Sequence, residues 1–238
     1  MELIWQGFVD AFHLIVRGDP ELLQISGRSL LISLLATLLS ALVGVPLGVV
    51  LAISRFPVRG LLNTIVNTGM GLPPVVVGLV VSIFLWRTGP FGALRLIYTP
   101  TAMVIAQFLV AVPIVAGFTR AAIEAIDAEQ VDAFRIDGAV GVAIGRELVR
   151  AAFPGVGLAI AAAFGRATAE VGASLMVGGN IAGQTRVLTT AISLETSRGE
   201  FARAIALGIV LLALAFLVNV AFFWASRHGA FRSVRGIW

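Results

Sequence analysis

An all-α bundle that crosses a membrane about five times is the fold class this sequence predicts, on three observations. Of its 238 residues 58% are hydrophobic and only 13% charged, against about 25% charged in a soluble domain. Mean hydropathy is +0.99. Five stretches each hold the roughly 20 mainly apolar residues that a spanning helix needs. None can be an open strand, because a backbone exposed to lipid must satisfy its own hydrogen bonds.

The first segment differs from the rest. Glu2, Gln6, Asp10, His13 and Arg17 recur at spacings of four, four, three and four. On a helix they form one narrow polar stripe, with Trp5, Phe8, Phe12 and Leu14 among the apolar remainder. Gly18-Asp19-Pro20 ends the pattern. No basic residue precedes the apolar ones, which speaks against a cleaved signal peptide. Residues 1–20 read as an interfacial helix lying on the membrane, with a short extra span as the alternative. His13 sits in the polar stripe as a solvated side chain. Residues 21–238 then form the transmembrane domain.

The expected spans are Ser29–Ile53, Leu61–Trp86, Pro100–Ala122, Pro154–Val177 and Arg203–Trp224. In the first, Gly44 and Gly48 at i, i+4 let helix backbones approach closely. The second carries Gly69, Gly71, Pro73, Pro74 and Gly78. Proline removes a backbone donor and clashes with the preceding turn, so this helix should kink or unwind there. Such breaks are tolerated where they line a cavity or are buried in protein. Pro73 and Pro74 are thus candidates to line a passage, or else a packing kink. The fourth span is rich in glycine and alanine and holds Arg166 and Glu170, four apart on one helical face. Arg166 lies about twelve residues in, roughly 18 Å along the axis. Charges at such depth are costly and face a bundle interior or wet cavity. Either the two neutralise each other and lock helices together, or they line or gate a passage. Gly178-Gly179-Asn180-Ile181-Ala182-Gly183 follows, and a glycine-rich loop can turn backbone N–H groups toward an anion.

The densest polar region, residues 120–150, holds Arg120, Arg135, Arg146 and Arg150 with Glu124, Asp127, Glu129, Asp132, Asp137 and Glu147. Val131, Phe134, Ile144 and Leu148 are interleaved at helical spacings. Short amphipathic cytoplasmic helices are expected, whose apolar face either docks on a partner or caps its own bundle. The arginines orient the chain. Arg55, Arg59, the four just named, Arg227, Arg232 and Arg235 fall on one side; Arg17, Arg28, Arg87, Arg95, Arg186, Arg198 and Arg203 fall on the other. The positive-inside tendency places the amino end outside and the carboxyl end in the cytoplasm.

Several chemistries are excluded. There is no cysteine and no lysine. A disulfide framework is impossible, and a phosphate loop lacks the lysine that reaches nucleotide phosphates. His13 and His228 are far apart and make no zinc motif, and no Gly-x-Ser-x-Gly elbow occurs. The formal charge of +4 is spread between apolar segments, without the basic stripe of a nucleic-acid footprint. The chain is therefore expected to be no enzyme and to bind no cofactor or metal.

Three stretches together resemble the permease subunit of an ABC importer of the molybdate, tungstate and sulfate type, nearest to tungstate permeases. They are GMGLPPVVVGLV at Gly69–Val80, FGRATAEVGASLMVGGNIAGQTRVLTTAISLET at Phe164–Thr196, and the cytoplasmic segment. Such permeases carry a loop patterned Glu-Ala-Ala, three residues, then Gly, which inserts into the ATPase subunit. Here Asp132, Ala133 and Phe134 stand at the triplet and Gly138 at the glycine, with Asp for Glu, Phe for the second Ala and no later Leu-Pro. The resemblance implies a type I importer bundle in the cell membrane of a prokaryote. It implies a homodimeric pore, two ATPase subunits carrying ATP and Mg, and an external oxyanion-binding protein. Glu129, Asp132, Ala133, Phe134, Arg135 and Gly138 become candidates for ATPase coupling. Pro73, Pro74, Arg166, Glu170, Gly178, Gly179 and Asn180 become candidates for the pathway. An ATP-independent transporter or channel, with Arg166 and Glu170 as pathway charges, is the alternative; a scaffold that transports nothing is a third reading.

Overall fold

The computed structural model describes residues 2–54 and 57–234. Arg55 and Arg235 lie outside the described residues, as do the side chains of Leu14, Arg227, His228 and Arg232.

Among the described residues the chain is helical throughout, with no strand. The helices are α1 (Glu2–Val16), α2 (Pro20–Ile53), α3 (Arg59–Met70), α4 (Pro74–Leu85), α5 (Pro100–Glu124), α6 (Ala128–Ile136), α7 (Val142–Ala151), α8 (Phe153–Thr168), α9 (Gly172–Gly178), α10 (Leu188–Ser197) and α11 (Phe201–Val234); one 3-10 turn spans Gly92–Leu94. Three helices, α2, α5 and α11, are long and apolar enough to cross a membrane alone, and two broken pairs raise the number to as many as five. Leu31, Leu35, Leu38 and Leu42 on α2, with Leu212 and Phe216 on α11, are exposed, as a chain facing hydrocarbon requires.

Several boundaries differ from expectation for local reasons. Helix α2 starts nine residues before Ser29, because Asp19 Oδ1 accepts the Leu22 N–H at 2.8 Å and Pro20 takes a first-turn position that needs no N–H. The sequence GDP reads equally as an ending, and it is one: Gly18 adopts φ +62° where α1 stops. Helix α10 was not expected at all. Val187 N donates to Thr190 Oγ1 and Leu188 N to Ser29 Oγ, so side chains satisfy its first backbone donors.

The chain divides into two compact units, and α2, α5, α8 and α11 contribute to both. The first comprises residues 1–36, 73–109 and 165–218. Ile32, Val81, Met103, Ala106, Val177 and Val187 form one core there, while Leu22, Ile25, Leu188, Ala191, Leu207 and Val210 form a second. The second unit comprises residues 37–72, 110–164 and 219–238. Here the Gly44 and Gly48 pair packs against α5 as its spacing predicts. A Cβ on Gly48 would stand 2.7 Å from Ala116 O, and one on Gly44 2.7 Å from Val115 Cβ.

Candidate functional site

In the first unit, two helix breaks meet. The first is the one that Pro73 and Pro74 predict. Pro73 flanks α4 with extended backbone (ψ 120°) and Pro74 is its first residue, so neither missing N–H costs a helical bond. The helix is interrupted there rather than kinked.

The second break lies where a continuous span was expected. Helix α8 ends at Thr168 and α9 starts at Gly172, so Arg166 and Glu170 do not share one helical face. Glu170 is buried and its Oε1 accepts the Ala173 N–H at 2.8 Å, which caps the start of α9. Thr189 Oγ1 donates to the Glu170 carbonyl at 3.0 Å. Arg166 is exposed and forms no ion pair with Glu170. The mutual-neutralisation reading is therefore corrected: the carboxylate is spent on a helix end and the guanidinium is left to other contacts.

The helices that follow the two breaks lie side by side. Gly172 packs on Val75, a Cβ on Gly78 would stand 2.6 Å from Ala173 Cα, and Ser82 Oγ donates to Met176 O at 3.1 Å. These contacts rise in step along both helices, so α4 and α9 run in the same direction with their starts level. Their two N-terminal dipole ends adjoin, and the Glu170 carboxylate already lies at one of them. Gln107 from α5 completes the setting, its Nε2 donating to the buried Ser174 Oγ at 3.3 Å while Oε1 has no partner. Gln107 and Ser174 were not singled out from the sequence; a lone Gln inside an apolar span is the signal that could have found them.

Removing the Glu170 cap should be measurable. Glu170→Ala is expected to cost about 0.5–2 kcal/mol and to lower Tm of the detergent-solubilised protein by about 2–4 °C per kcal/mol. Glu170→Gln keeps an acceptor and should lose less than half as much. Equal losses in the two variants would show that the cap is not what the carboxylate does.

The glycine loop after α9 is braced. Gly179, Asn180 and Gly183 have positive φ values of 68°, 51° and 73°. Thr185 Oγ1 donates to Gly178 O and accepts from Ile181 N at 2.9 Å. The N–H groups of Gln184, Thr185 and Arg186 all turn onto Ile181 O. Arg28 reaches over from α2 to donate to Gly183 O at 2.7 Å and Arg186 O at 2.9 Å. Those four loop N–H groups are thus consumed internally, and the segment is a strap rather than an open cradle. Asn180 Oδ1 is buried in it without a partner.

The coupling candidates lie together in the second unit. Glu129, Asp132, Ala133 and Arg135 are exposed on α6, with Asp132 and Arg135 paired at 2.9 Å, and Phe134 is half-buried. Helix α6 ends in a Schellman motif: Ala139 N donates to Phe134 O and Gly138 N to Arg135 O, both at 3.0 Å, with Gly138 at φ +86°. This is the physical reason a glycine stands at 138. Beside α6 opens a groove of 830 Å³ whose walls include Ala52, Arg59, Glu124, Val131 and Asp132. Arg59 braces it, donating to Leu51 O at 2.8 Å and Glu124 Oε1 at 3.0 Å.

The apolar face that the sequence offered for docking is otherwise employed. Ile144 and Leu148 are buried, and Val131 and Phe134 pack against the same cluster of Val49, Ile123, Ala152 and Val156. What stands free is the junction of α6 and α7, where Ile136 at the end of α6 is 85%, Val140 in the turn 76% and Val142 at the start of α7 92% exposed. Three such side chains on one turn mark a contact surface.

The family model of the binding-protein-dependent transport system inner membrane component matches residues 44–228. The chain is similar to the tungstate uptake system permease protein TupB of Peptoclostridium acidaminophilum, 39% identical over 94% of this chain and 98% of that one. It is 36% identical to TupB of Campylobacter jejuni over 92% of each. Among solved structures, an inward-facing form of the MetNI methionine ABC transporter superposes with a TM-score of 0.72, covering 87% of this chain and 95% of that one at 20% identity, a likeness of fold.

Proposed function

The chain belongs to the family of binding-protein-dependent transport system inner membrane components, and from that premise we propose that it forms the membrane passage of an ATP-driven importer for an oxyanion, tungstate ahead of molybdate and sulfate. The observation that carries the oxyanion reading is the likeness to tungstate uptake permeases over nearly the whole of both chains. The passage is built with a second copy of the chain. Two ATP-binding cassette subunits bind and hydrolyse the ATP, and a soluble oxyanion-binding protein delivers the cargo outside. The amino end faces outside and the carboxyl end the cytoplasm, with α1 lying along the membrane surface.

In this scheme the exposed turn around Gly138, with Asp132 and Arg135 beside it, seats on the ATPase subunit. ATP binding closes the ATPase pair and biases the permease toward outward access; hydrolysis restores inward access, a two-state rearrangement driven by differential binding. Arg166 presents a guanidinium toward the passage. The α4 and α9 ends and the strap at Gly178–Asn180 form its wall near the breaks at Pro73 and Glu170. The wall needs only weak anion contacts, because a tight site would retain the dianion.

Reconstitution tests this reading. Proteoliposomes holding this chain with its ATPase, supplied with ATP inside and loaded binding protein outside, should accumulate labelled tungstate. Leaving out any one component should reduce uptake to background. Gradient-driven tungstate flux through this chain alone would defeat the proposal in favour of an ATP-independent carrier.

A further inference from the structure

Two recesses of opposite chemistry adjoin on the surface of the first unit. The segment from Trp86 to Pro100 carries Arg87 and Arg95 and no acidic residue. Both arginines are exposed and, among the described residues, neither forms an ion pair. They line an open cavity of 1030 Å³ together with Trp86 and Tyr98, whose rings meet edge to face at 6.4 Å. Beside it runs a groove of 390 Å³ with apolar walls throughout, among them Val80, Phe84, Phe91, Leu94 and Leu109. Leu85 belongs to the walls of both.

The order of these side chains follows the polarity of one membrane leaflet. Tryptophan and tyrosine join an apolar ring to a polar tip, the combination favoured at the level of lipid headgroups. The aromatic pair of the groove is Phe84 and Phe91, 6.1 Å apart and without a polar tip. Leu109 stands nine residues into α5, about 14 Å along its axis, close to half of the roughly 30 Å hydrocarbon core. That is the depth of one layer of acyl chains. The loop between is held in shape by its own backbone. Phe91 N donates to Phe84 O at 2.9 Å and Gly89 N to Trp86 O at 2.8 Å. Arg95 and Tyr98 adopt left-handed φ values of 52° and 61°, which non-glycine residues hold only where surroundings impose them.

We propose that this cavity and groove together hold one anionic glycerophospholipid: Arg87 and Arg95 pair with its headgroup phosphate, Trp86 and Tyr98 flank the glycerol, and an acyl chain lies along Val80, Phe84 and Leu109. The site requires only that the chain span a membrane and is independent of the cargo. Charge complementarity selects the headgroup, since two uncompensated guanidinium groups favour a lipid of net negative charge over a zwitterionic one. The groove selects a lipid over a soluble anion, which has no chain to fill it. Tyr98 N donates to Val177 O at 2.8 Å, so a lipid seated here also bears on the end of α9.

The test uses the full chain in nanodiscs, with Trp5, Trp224 and Trp238 replaced by Phe so that Trp86 is the one remaining tryptophan. Brominated phosphatidylglycerol, diluted into phosphatidylcholine, should quench Trp86 at a mole fraction about fivefold lower than brominated phosphatidylcholine needs. Arg87→Gln with Arg95→Gln should abolish that preference, while brominated phosphatidylcholine quenches as before because the groove remains. Glycerol phosphate in solution should displace neither lipid. No preference in the parent, or the same preference in the double variant, overturns the proposal. Displacement by glycerol phosphate also overturns it and assigns the arginines to a soluble anion. Trp86 fluorescence that no brominated lipid quenches overturns it too, and assigns the face to a second copy of the chain or another protein.

Discussion

Tungstate uptake should fall at least tenfold in Gly138→Val, while Gly138→Asn keeps most of it. Gly138 lies at φ +86°, and a Cβ there would meet nothing within 4 Å, so space is not the constraint. The constraint is handedness. A left-handed conformation costs an L-residue about 1–2 kcal/mol, is a true outlier for a β-branched one, and is tolerated by asparagine. Valine would pull residue 138 out of that region and break the two hydrogen bonds to Arg135 O and Phe134 O. The end of α6 would fray, and Ile136 and Val140, which flank the turn, would lose their fixed presentation. The buried contacts of Ile144 and Leu148 lie beyond Gly141, itself at φ +56°, so the fold and membrane insertion should survive. Uptake and ATPase co-purification with each variant measure this. Wild-type uptake in Gly138→Val, or equal loss in Gly138→Val and Gly138→Asn, would remove the turn from the coupling role.

The contrast between the two helix breaks shows which features a sequence can disclose. The break before α4 is written into one residue type: proline lacks an N–H wherever it stands, and Pro73-Pro74 interrupts a helix in any context. The break before α9 is not written that way. Ala169, Glu170 and Val171 are compatible with helix, and the interruption depends on Thr189 and on a carboxylate that turns back onto Ala173. Thr189 is brought to Glu170 by tertiary packing, so Arg166 and Glu170 look like a helical pair until the chain is folded. The polar segment at residues 120–150 repeats the lesson. Its amphipathic pattern predicts short helices, and α6 and α7 form. Periodicity says only that Val131, Phe134, Ile144 and Leu148 share a face, not what covers it. The chain's own core covers it, and the free apolar residues Ile136, Val140 and Val142 stand at the end of α6, in the turn and at the start of α7, where no single period reports them.

Gly78→Leu should be severely damaging, collapsing both the yield of folded protein and uptake. A Cβ at 78 would stand 2.6 Å from Ala173 Cα and 3.1 Å from Met176 Cβ, against about 3.5–4.0 Å for carbon atoms in comfortable contact. The obstructing atom belongs to backbone and cannot swing aside as a side-chain end can. Relief requires α4 and α9 to separate, which breaks the bond of the Ser82 hydroxyl with Met176 O. Overpacking alone typically costs about 1–3 kcal/mol, and the lost bond adds to it. Because the clash is made by the first added carbon, Gly78→Ala should already lower Tm, with Leu worse. Gly208→Ala is the control: it lies within α11 with nothing within 4 Å of an added Cβ, so it should be neutral or stabilise by up to about 1 kcal/mol. Tm and tungstate uptake of the three variants decide the matter. If Gly78→Leu melts and transports like wild type, α4 and α9 do not lie backbone to backbone, and the wall assigned to the passage has to be drawn elsewhere.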